Sequence, residues 1–336
     1  MKVLFNCHTA FSFTHGGAQV QIEETSRALQ SLGVTVEPLR WWDDQQQGDI
    51  LHQFVRIPPN LARAAKNKGL KVVMSELLTG QGSRSRPHIL IQQFGQRMLQ
   101  ALAPQRLIRP FNWESYQLAD ASIVLTPWEA ELLWRLYDTP RNRIHVVPNG
   151  VEEVFFKTGP MARGPWLVCT AVITERKRVL EAATAAVKAR TPLWIIGKPY
   201  DAGAAYAKKL VALARDHPEF VKYEGPINDR ARLARIYREA RGFVLLSTME
   251  SLSLSALEAA ACECPLLLSD LPWARTVFKD QAQYCSAEAR ENQTAEKMRA
   301  FYEQAPSLKP PLKPMTWLEV AQQIKTIYER VLSTSR

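Results

Sequence analysis

The segment Glu250-Ser-Leu-Ser-Leu-Ser-Ala-Leu-Glu258 places two carboxylates eight residues apart, between the apolar run Gly242-Phe-Val-Leu-Leu-Ser247 and Ala-Ala-Ala-Cys-Glu-Cys-Pro265. This pattern predicts a buried strand, a short polar turn holding the first acid, and the opening turns of a helix holding the second. The start of such a helix presents backbone N–H groups and the positive end of the helix dipole, and both attract a phosphate. Carboxylates beside it accept hydrogen bonds from sugar and ribose hydroxyls. A second, purely local reading is available: Ser255 followed three residues later by Glu258 has the form of a capping box.

The elements that must position these acids alternate along the whole chain. In the first half, strands are expected at Lys2 to Asn6, Val34 to Leu39, Asp49 to Phe54, Lys71 to Met74 and Ala121 to Thr126. A helix from about Ala18, with Ala18, Ile22, Thr25, Leu29 and Leu32 on its inner face, ends at Gly33, and another covers Ile89 to Leu102. In the second half, strands are expected at Trp166 to Ala171, Leu193 to Gly197, Val221 to Glu224, Gly242 to Ser247 and Pro265 to Ser269. Helices at Arg178 to Ala189, Ala204 to Asp216 and Arg230 to Ala240 separate them. Alternation of this kind implies an α/β protein with two Rossmann-like, doubly wound parallel sheets. Pro148-Asn-Gly150 and the polar stretch from Lys157 to Pro165 punctuate the connection. Near the end, Ala305-Pro-Ser-Leu-Lys-Pro-Pro-Leu-Lys-Pro314 is stiff and extended, and Trp317, Val320, Ile324, Ile327 and Val331 then mark one face of a last helix.

At 336 residues, with 46% hydrophobic and 23% charged residues, the chain has the length and core-forming material of two compact domains. No apolar run approaches the roughly 18 residues that span a bilayer, and the opening Met-Lys-Val-Leu-Phe-Asn is short for a signal peptide, so a cytoplasmic location is expected. The cysteines Cys7, Cys169, Cys262, Cys264 and Cys285 are odd in number and lack zinc-site spacing, which favours structural thiols. The net charge of +10 is concentrated: residues 61–110 hold nine Lys and Arg against Glu76 alone, a local +8. Such a patch attracts an anionic membrane face or a phosphate-bearing substrate. Without interleaved aromatics or a recognition motif it does not indicate a nucleic acid.

Taken in order, these landmarks resemble the retaining GT-B glycosyltransferases, in particular glycosyltransferase family 4, and the resemblance covers nearly the whole chain. Its signature is the Glu-x7-Glu of Glu250 and Glu258. His15-Gly-Gly-Ala18 falls where the family has a glycine-rich loop, with Gly16 and Gly17 letting backbone amides approach a diphosphate or the acceptor. Glu114 to Asp120, Ser122 to Thr126 and Glu129 resemble the segment leading into the last strand of the N-terminal domain, and Val147-Pro-Asn-Gly-Val151 the interdomain turn. The resemblance implies an acceptor domain at residues 1–150, a nucleotide-sugar donor domain at 151–314, and a helix at 315–336 packing back on the first domain. Thr170 to Arg178 corresponds to the stretch in which an arginine and, five residues on, a lysine neutralise the donor diphosphate. Lys177 matches the lysine, but Val172 stands at the arginine, leaving Arg176 or Arg178 to supply a second cation. The family histidine after the fourth strand is also missing, where this chain reads Val73-Met-Ser-Glu76. Glu76 and His88 are the residues available near that point. Ser253 replaces the glycine between the acids but keeps a backbone N–H.

The implied activity is sugar transfer from a nucleoside diphosphate sugar with retention at the anomeric carbon. Glu250 and Lys177 would carry the chemistry, and Glu258, Arg176, Ser253, Leu254, Ser255, Gly16 and Gly17 would bind the donor. No cofactor or metal is expected, since fixed cations and backbone dipoles would stabilise the leaving diphosphate; Asp43-Asp44 reads as a solvated loop pair. The +8 segment points to an anionic or lipid-linked acceptor, such as a glycan precursor, with peripheral contact at the inner membrane face. Two alternatives use the same donor pocket: a non-catalytic nucleotide-sugar-binding protein, and a sugar-nucleotide epimerase.

Overall fold

The structure, a computed structural model, describes residues 1–7, 16–104, 107, 111, 113–157 and 162–334. The chain divides into two compact units, Met1–Asn149 with Trp317–Arg336, and Gly150–Thr316.

The first unit is built on six parallel strands: β1 (Lys2–Cys7), β2 (Thr35–Pro38), β3 (Ile50–Phe54), β4 (Lys71–Ser75), β5 (Ala121–Val124) and β6 (Ile144–Val146). Their order is β2-β1-β3-β4-β5-β6, so the sheet reverses its direction of growth between β1 and β3. Every residue of β3 is buried, including His52 and Gln53, so their polar atoms must be satisfied inside. Nε2 of His52 meets Oγ of Ser75 at 2.7 Å, and Gln53 accepts a 2.7 Å bond from Asn6 Nδ2. Around the sheet lie α1 (Gly17–Ser31), α2 (Pro59–Asn67), α3 (Arg86–Leu102) and α4 (Pro127–Tyr137).

In α1 the buried residues are Gln21, Thr25 and Leu29. The expected inner face holds at Thr25 and Leu29 but not at its other positions: Ala18 is exposed, and Ile22 and Leu32 are only half-buried. β6 was not anticipated either, because Ile-His-Val is a short, partly exposed edge strand with no apolar run to mark it.

The second unit repeats the design with β7 (Leu167–Thr170), β8 (Leu193–Ile196), β9 (Val221–Tyr223), β10 (Gly242–Leu245), β11 (Leu266–Ser269) and β12 (Gln283–Cys285), ordered β12-β11-β10-β7-β8-β9 and all parallel. Like β6, the edge strand β12 lacks a sequence signal. The connecting helices are α5 (Val179–Ala189), α6 (Ala205–Asp216), α7 (Arg230–Glu239), α8 (Leu254–Ala261), α9 (Pro272–Phe278) and α10 (Glu291–Gln304). The alanine face of α5 (Ala182, Ala183, Ala185, Ala186, Ala189) shares a core with Met298 and Phe301 of α10; side chains this small leave room for the larger ones opposite. The chain adds β8 and β9 on one side of β7, then returns to place β10 on the other. In doubly wound sheets, ligands bind beyond the carboxyl ends of the strands at such a reversal.

The last helix, α11 (Trp317–Ser333), belongs to the first unit. It buries the expected Trp317, Val320, Ile324, Ile327 and Val331, and also Ala321 and Tyr328. It packs on α1, where Lys325 Nζ donates to the carbonyl of Leu32 at 3.0 Å, while the Tyr328 hydroxyl meets Nδ1 of His52. Burial holds the His52 imidazole down at about 3, so it is neutral at the core. Among the described residues, no helix is long and apolar enough to cross a membrane.

Candidate functional site

The site forms where β7 and β10 lie side by side, with Gly242 paired to Leu167 and Phe243 to Val168. Beyond β7 the chain runs through Thr174 into a single 3-10 turn, Glu175–Lys177, and Arg178 then adopts φ 50° as it enters α5. Beyond β10 it passes through Glu250 to Ser253 and into α8. These two loops are stitched together by backbone: the amide of Thr248 donates to the carbonyl of Arg176 at 2.8 Å. A third loop closes in from β8. Gly197 has φ 149°, and a Cβ there would stand 1.9 Å from the carbonyl oxygen of Ala171, so only glycine lets these chains approach.

The stitching converges two cations on one acid. Lys177 Nζ hydrogen-bonds Oε1 of Glu250, while Nη1 of Arg176 lies 3.6 Å from the same oxygen and donates to the carbonyl of Met249 at 2.8 Å. Lys177 and Glu250 are largely buried, whereas Arg176 is exposed. Val172, at the position of the missing arginine, is half-buried. Arg178 is committed elsewhere: Nη1 donates to the carbonyl of Ala287 at 2.6 Å and Nη2 to that of Ala289 at 3.0 Å. Of the two candidates for a second cation, only Arg176 faces Glu250.

Next to this cluster stands the N-terminus of α8. Ser253 is its cap, with Oγ accepting from the amide of Ala256 at 3.3 Å and lying 3.1 Å from Oγ of Ser255. Leu254 and Ser255 form the first turn, whose amides have no acceptors within the helix. The capping box expected from Ser255 and Glu258 does not form. The cap lies two residues earlier, at Ser253, and the Glu258 carboxylate bonds Arg230 and Tyr237.

Glu258 instead closes a buried network. Its Oε1 accepts from Nη2 of Arg230 and its Oε2 from the Tyr237 hydroxyl at 3.2 Å. Tyr237 also meets the hydroxyl of Thr170 at the end of β7, and Nε of Arg230 donates to Glu152 at 2.7 Å. The Arg230 guanidinium lies 4.7 Å over the ring of Phe155. Burial raises the Glu258 carboxyl above its ordinary range, against the opposing pull of Arg230. Glu152, Arg230 and Tyr237 were not anticipated. Arg230 follows the helix cap Asp229 and reads as an ordinary first-turn residue, and nothing in the spacing ties it to Glu258, 28 residues on.

The remaining sequence candidates lie in the first unit. Gly16 caps α1 at φ 146°, a conformation that requires glycine, and Gly17 begins the helix; His15 lies outside the described residues. Glu76 is buried beyond β4, where its Oε2 accepts from the Tyr116 hydroxyl at 2.7 Å with Arg56 at 3.8 Å, and burial raises its carboxyl. His88 is exposed and pairs with Oγ of Ser85 at 2.6 Å. Asp43 is not simply solvated: Arg40 Nε donates to it at 2.9 Å. The basic segment is also less unbalanced than residues 61–110 imply. Arg63 bonds Glu114 and Lys66 bonds Asp120 at 3.0 Å, both acids lying just beyond that window. Arg84, Arg86 and Arg97 stay exposed, and Arg106 and Arg109 lie outside the described residues.

Residues 164–304, most of the second unit, match a family model described as "Glycosyl transferases group 1". The D-inositol 3-phosphate glycosyltransferase of Acidothermus cellulolyticus is 30% identical over 183 residues, covering 48% of this chain and 41% of the relative. The protein of that name from Mycobacterium sp. (strain JLS) is 32% identical over 162 residues, covering 44% and 37%. The chain thus spans about two fifths of the length of these curated relatives. Solved structures match end to end. Sucrose-phosphate synthase from Thermosynechococcus elongatus has a TM-score of 0.69 at 15% identity, and Anabaena HepE in complex with UDP and glucose has 0.63 at 14%, each covering 99% of both chains. With its two doubly wound parallel sheets and a final helix returned to the first unit, the chain has the GT-B fold.

Proposed function

We propose that this chain is a retaining glycosyltransferase of the family 4 type, moving a sugar from a nucleoside diphosphate sugar to an anionic acceptor. The observation that carries the reading is the convergence of Lys177 and Arg176 on Glu250, beside the N-terminus of α8 and at the reversal between β7 and β10. Without donor, Glu250 holds the lysine in place. A diphosphate entering beside the first turn of α8 would draw Lys177 and Arg176 to itself and release the Glu250 carboxylate to the sugar hydroxyls. As the bond between the anomeric carbon and the diphosphate breaks, negative charge grows on the phosphate oxygens. A nearby ammonium and the helix amides stabilise that charge where it develops. These fixed groups supply the role a divalent ion would otherwise fill, so turnover is expected to survive a chelator.

Glu258 is assigned to the ribose hydroxyls, with Arg230 and Tyr237 holding its carboxylate in place. UDP is the first donor nucleotide to test, because it is the nucleotide in the HepE complexes. An anionic acceptor agrees with the exposed arginines of the first unit and with relatives named for D-inositol 3-phosphate. Incubating the purified chain with UDP-sugars and following release of UDP, with NMR of the new anomeric centre, tests the reading. Product of unchanged anomeric configuration is expected, and inverted product would overturn retention. Val172 at the arginine position favours one second reading, a nucleotide-sugar-binding protein without turnover. Donor binding with no release of UDP under any acceptor would select it.

A further inference from the structure

The amphipathic helix α3 (Arg86–Leu102) does not bury its apolar face. Of its 17 residues only Ile89 is buried, while Leu90, Ile91, Phe94, Met98 and Leu102 are exposed, Phe94 at 69% and Leu102 at 75%. At 100° per residue these five side chains fall within an arc of about 120°, a stripe about 18 Å long. Leu107 and Phe111, just beyond the helix, are exposed as well. The comparison within the same unit is α11, which buries a full apolar face of seven residues. A contiguous apolar stripe at the surface marks a place where something else binds.

The charges around the stripe say what. Arg86 and Arg97 lie along one border of it and Arg84 immediately precedes the helix, all three exposed. The opposite face carries Gln92, Gln93, Gln96 and Gln100, none of them charged, and no Asp or Glu occurs between Leu77 and Trp113. An apolar arc with arginines at its edge and no acid in the same stretch of sequence fits a bilayer interface, where the arc enters the acyl boundary and the guanidinium groups reach anionic headgroups. We propose that α3 lies flat in the surface of an anionic membrane and seats the first unit on it. The interaction is independent of the donor chemistry, and its test uses no nucleotide.

The test is co-sedimentation of the full chain with phosphatidylcholine vesicles, with and without phosphatidylglycerol, at low and high salt. The wild-type chain should sediment with the anionic vesicles. Replacing Leu90, Ile91, Phe94 and Met98 together by Gln should weaken partitioning by about tenfold or more at either salt, since apolar burial drives it. Replacing Arg84, Arg86 and Arg97 by Gln should leave residual binding but remove the preference for phosphatidylglycerol. A Phe94→Trp chain should show blue-shifted emission on the same vesicles, a readout that holds even if the quadruple variant folds poorly. Absent sedimentation at low salt, an unshifted Phe94→Trp spectrum, or wild-type binding by a folded quadruple variant would each overturn the proposal. So would a stable dimer in solution that the quadruple variant dissolves.

Discussion

The two acids of Glu250-x7-Glu258 lie in one short segment yet in different physical settings. Glu250 belongs to a loop and is held by two cations from another loop, which in the proposed mechanism exchange it for a ligand's charge. Glu258 lies one turn into α8, buried, with one oxygen bonded by Arg230 and the other by Tyr237, which are fixed by Glu152 and Thr170 and leave lone pairs for a ligand. Similar carboxylates at a motif's two ends therefore need not respond alike to substitution. The first should act mainly on turnover, and the second on the folded state as well as on affinity.

The largest effect expected from breaking this contrast is on rate. Lys177→Ala should lower turnover by about a hundredfold or more, because the role proposed for this cation sets it against charge that develops only as the diphosphate leaves. Arg178→Ala should leave turnover nearly unchanged and lower the melting temperature instead, since it removes bonds to the Ala287 and Ala289 carbonyls. Steady-state kinetics and thermal melts on both variants read the two quantities; equal losses of turnover would erase the distinction.

The next effect is on stability. Glu258→Ala leaves the Tyr237 hydroxyl and part of the Arg230 guanidinium without their acceptor. Breaking a fully buried pair costs about 3–5 kcal/mol, and the partial exposure of Arg230 reduces this to about 1–3 kcal/mol. Denaturant unfolding measures it, and donor titration on the same variant should show weakened affinity from the lost ribose contact. No change in stability would mean the buried network is not under load.

A smaller effect is pH-dependent. Because the folded protein raises the Glu258 carboxyl above its reference value of 4.5, the folded state binds its proton more tightly than the unfolded chain does. That contribution is fully present below 4.5 and is lost as pH rises through the folded value, at most about 1.4 kcal/mol per pH unit. Glu258→Gln should flatten this part of the stability curve, as measured by denaturant unfolding across that pH range. The smallest expected change is from Ser253→Ala, about 1 kcal/mol for the lost α8 cap; Ser255→Ala should cost less, since its hydroxyl is not the cap.

Much of this was legible before any coordinates, for identifiable reasons. Strands such as Gly242–Leu245 and Leu266–Ser269 are buried on both faces, so they appear as unbroken apolar runs. The apolar face of α11 shows the helical period directly. That Glu250 stands in a turn just ahead of a helix was readable because these residues are neighbours in the chain, although the cap is Ser253 and not Ser255. Arg230 and Tyr237 were not, because their contacts with Glu258 arise only when α7 packs beside α8. For the same reason part of the inner face of α1 was misplaced: Thr25 and Leu29 are buried as expected, but Gln21 faces inward against its residue type, and only packing decides that. Edge strands β6 and β12 stayed hidden because half-exposed triplets leave no periodic signature.

The most direct test of the central claim, that Lys177 exchanges Glu250 for the donor's diphosphate, is calorimetric titration of UDP, GDP and ADP into the intact wild-type and Lys177→Ala chains, with uridine as control. Saturable binding of at least one diphosphate, weakened about tenfold or more by Lys177→Ala while any uridine binding is unchanged, is predicted. Equal diphosphate affinity in the two chains, or no diphosphate binding to the wild type, would contradict it.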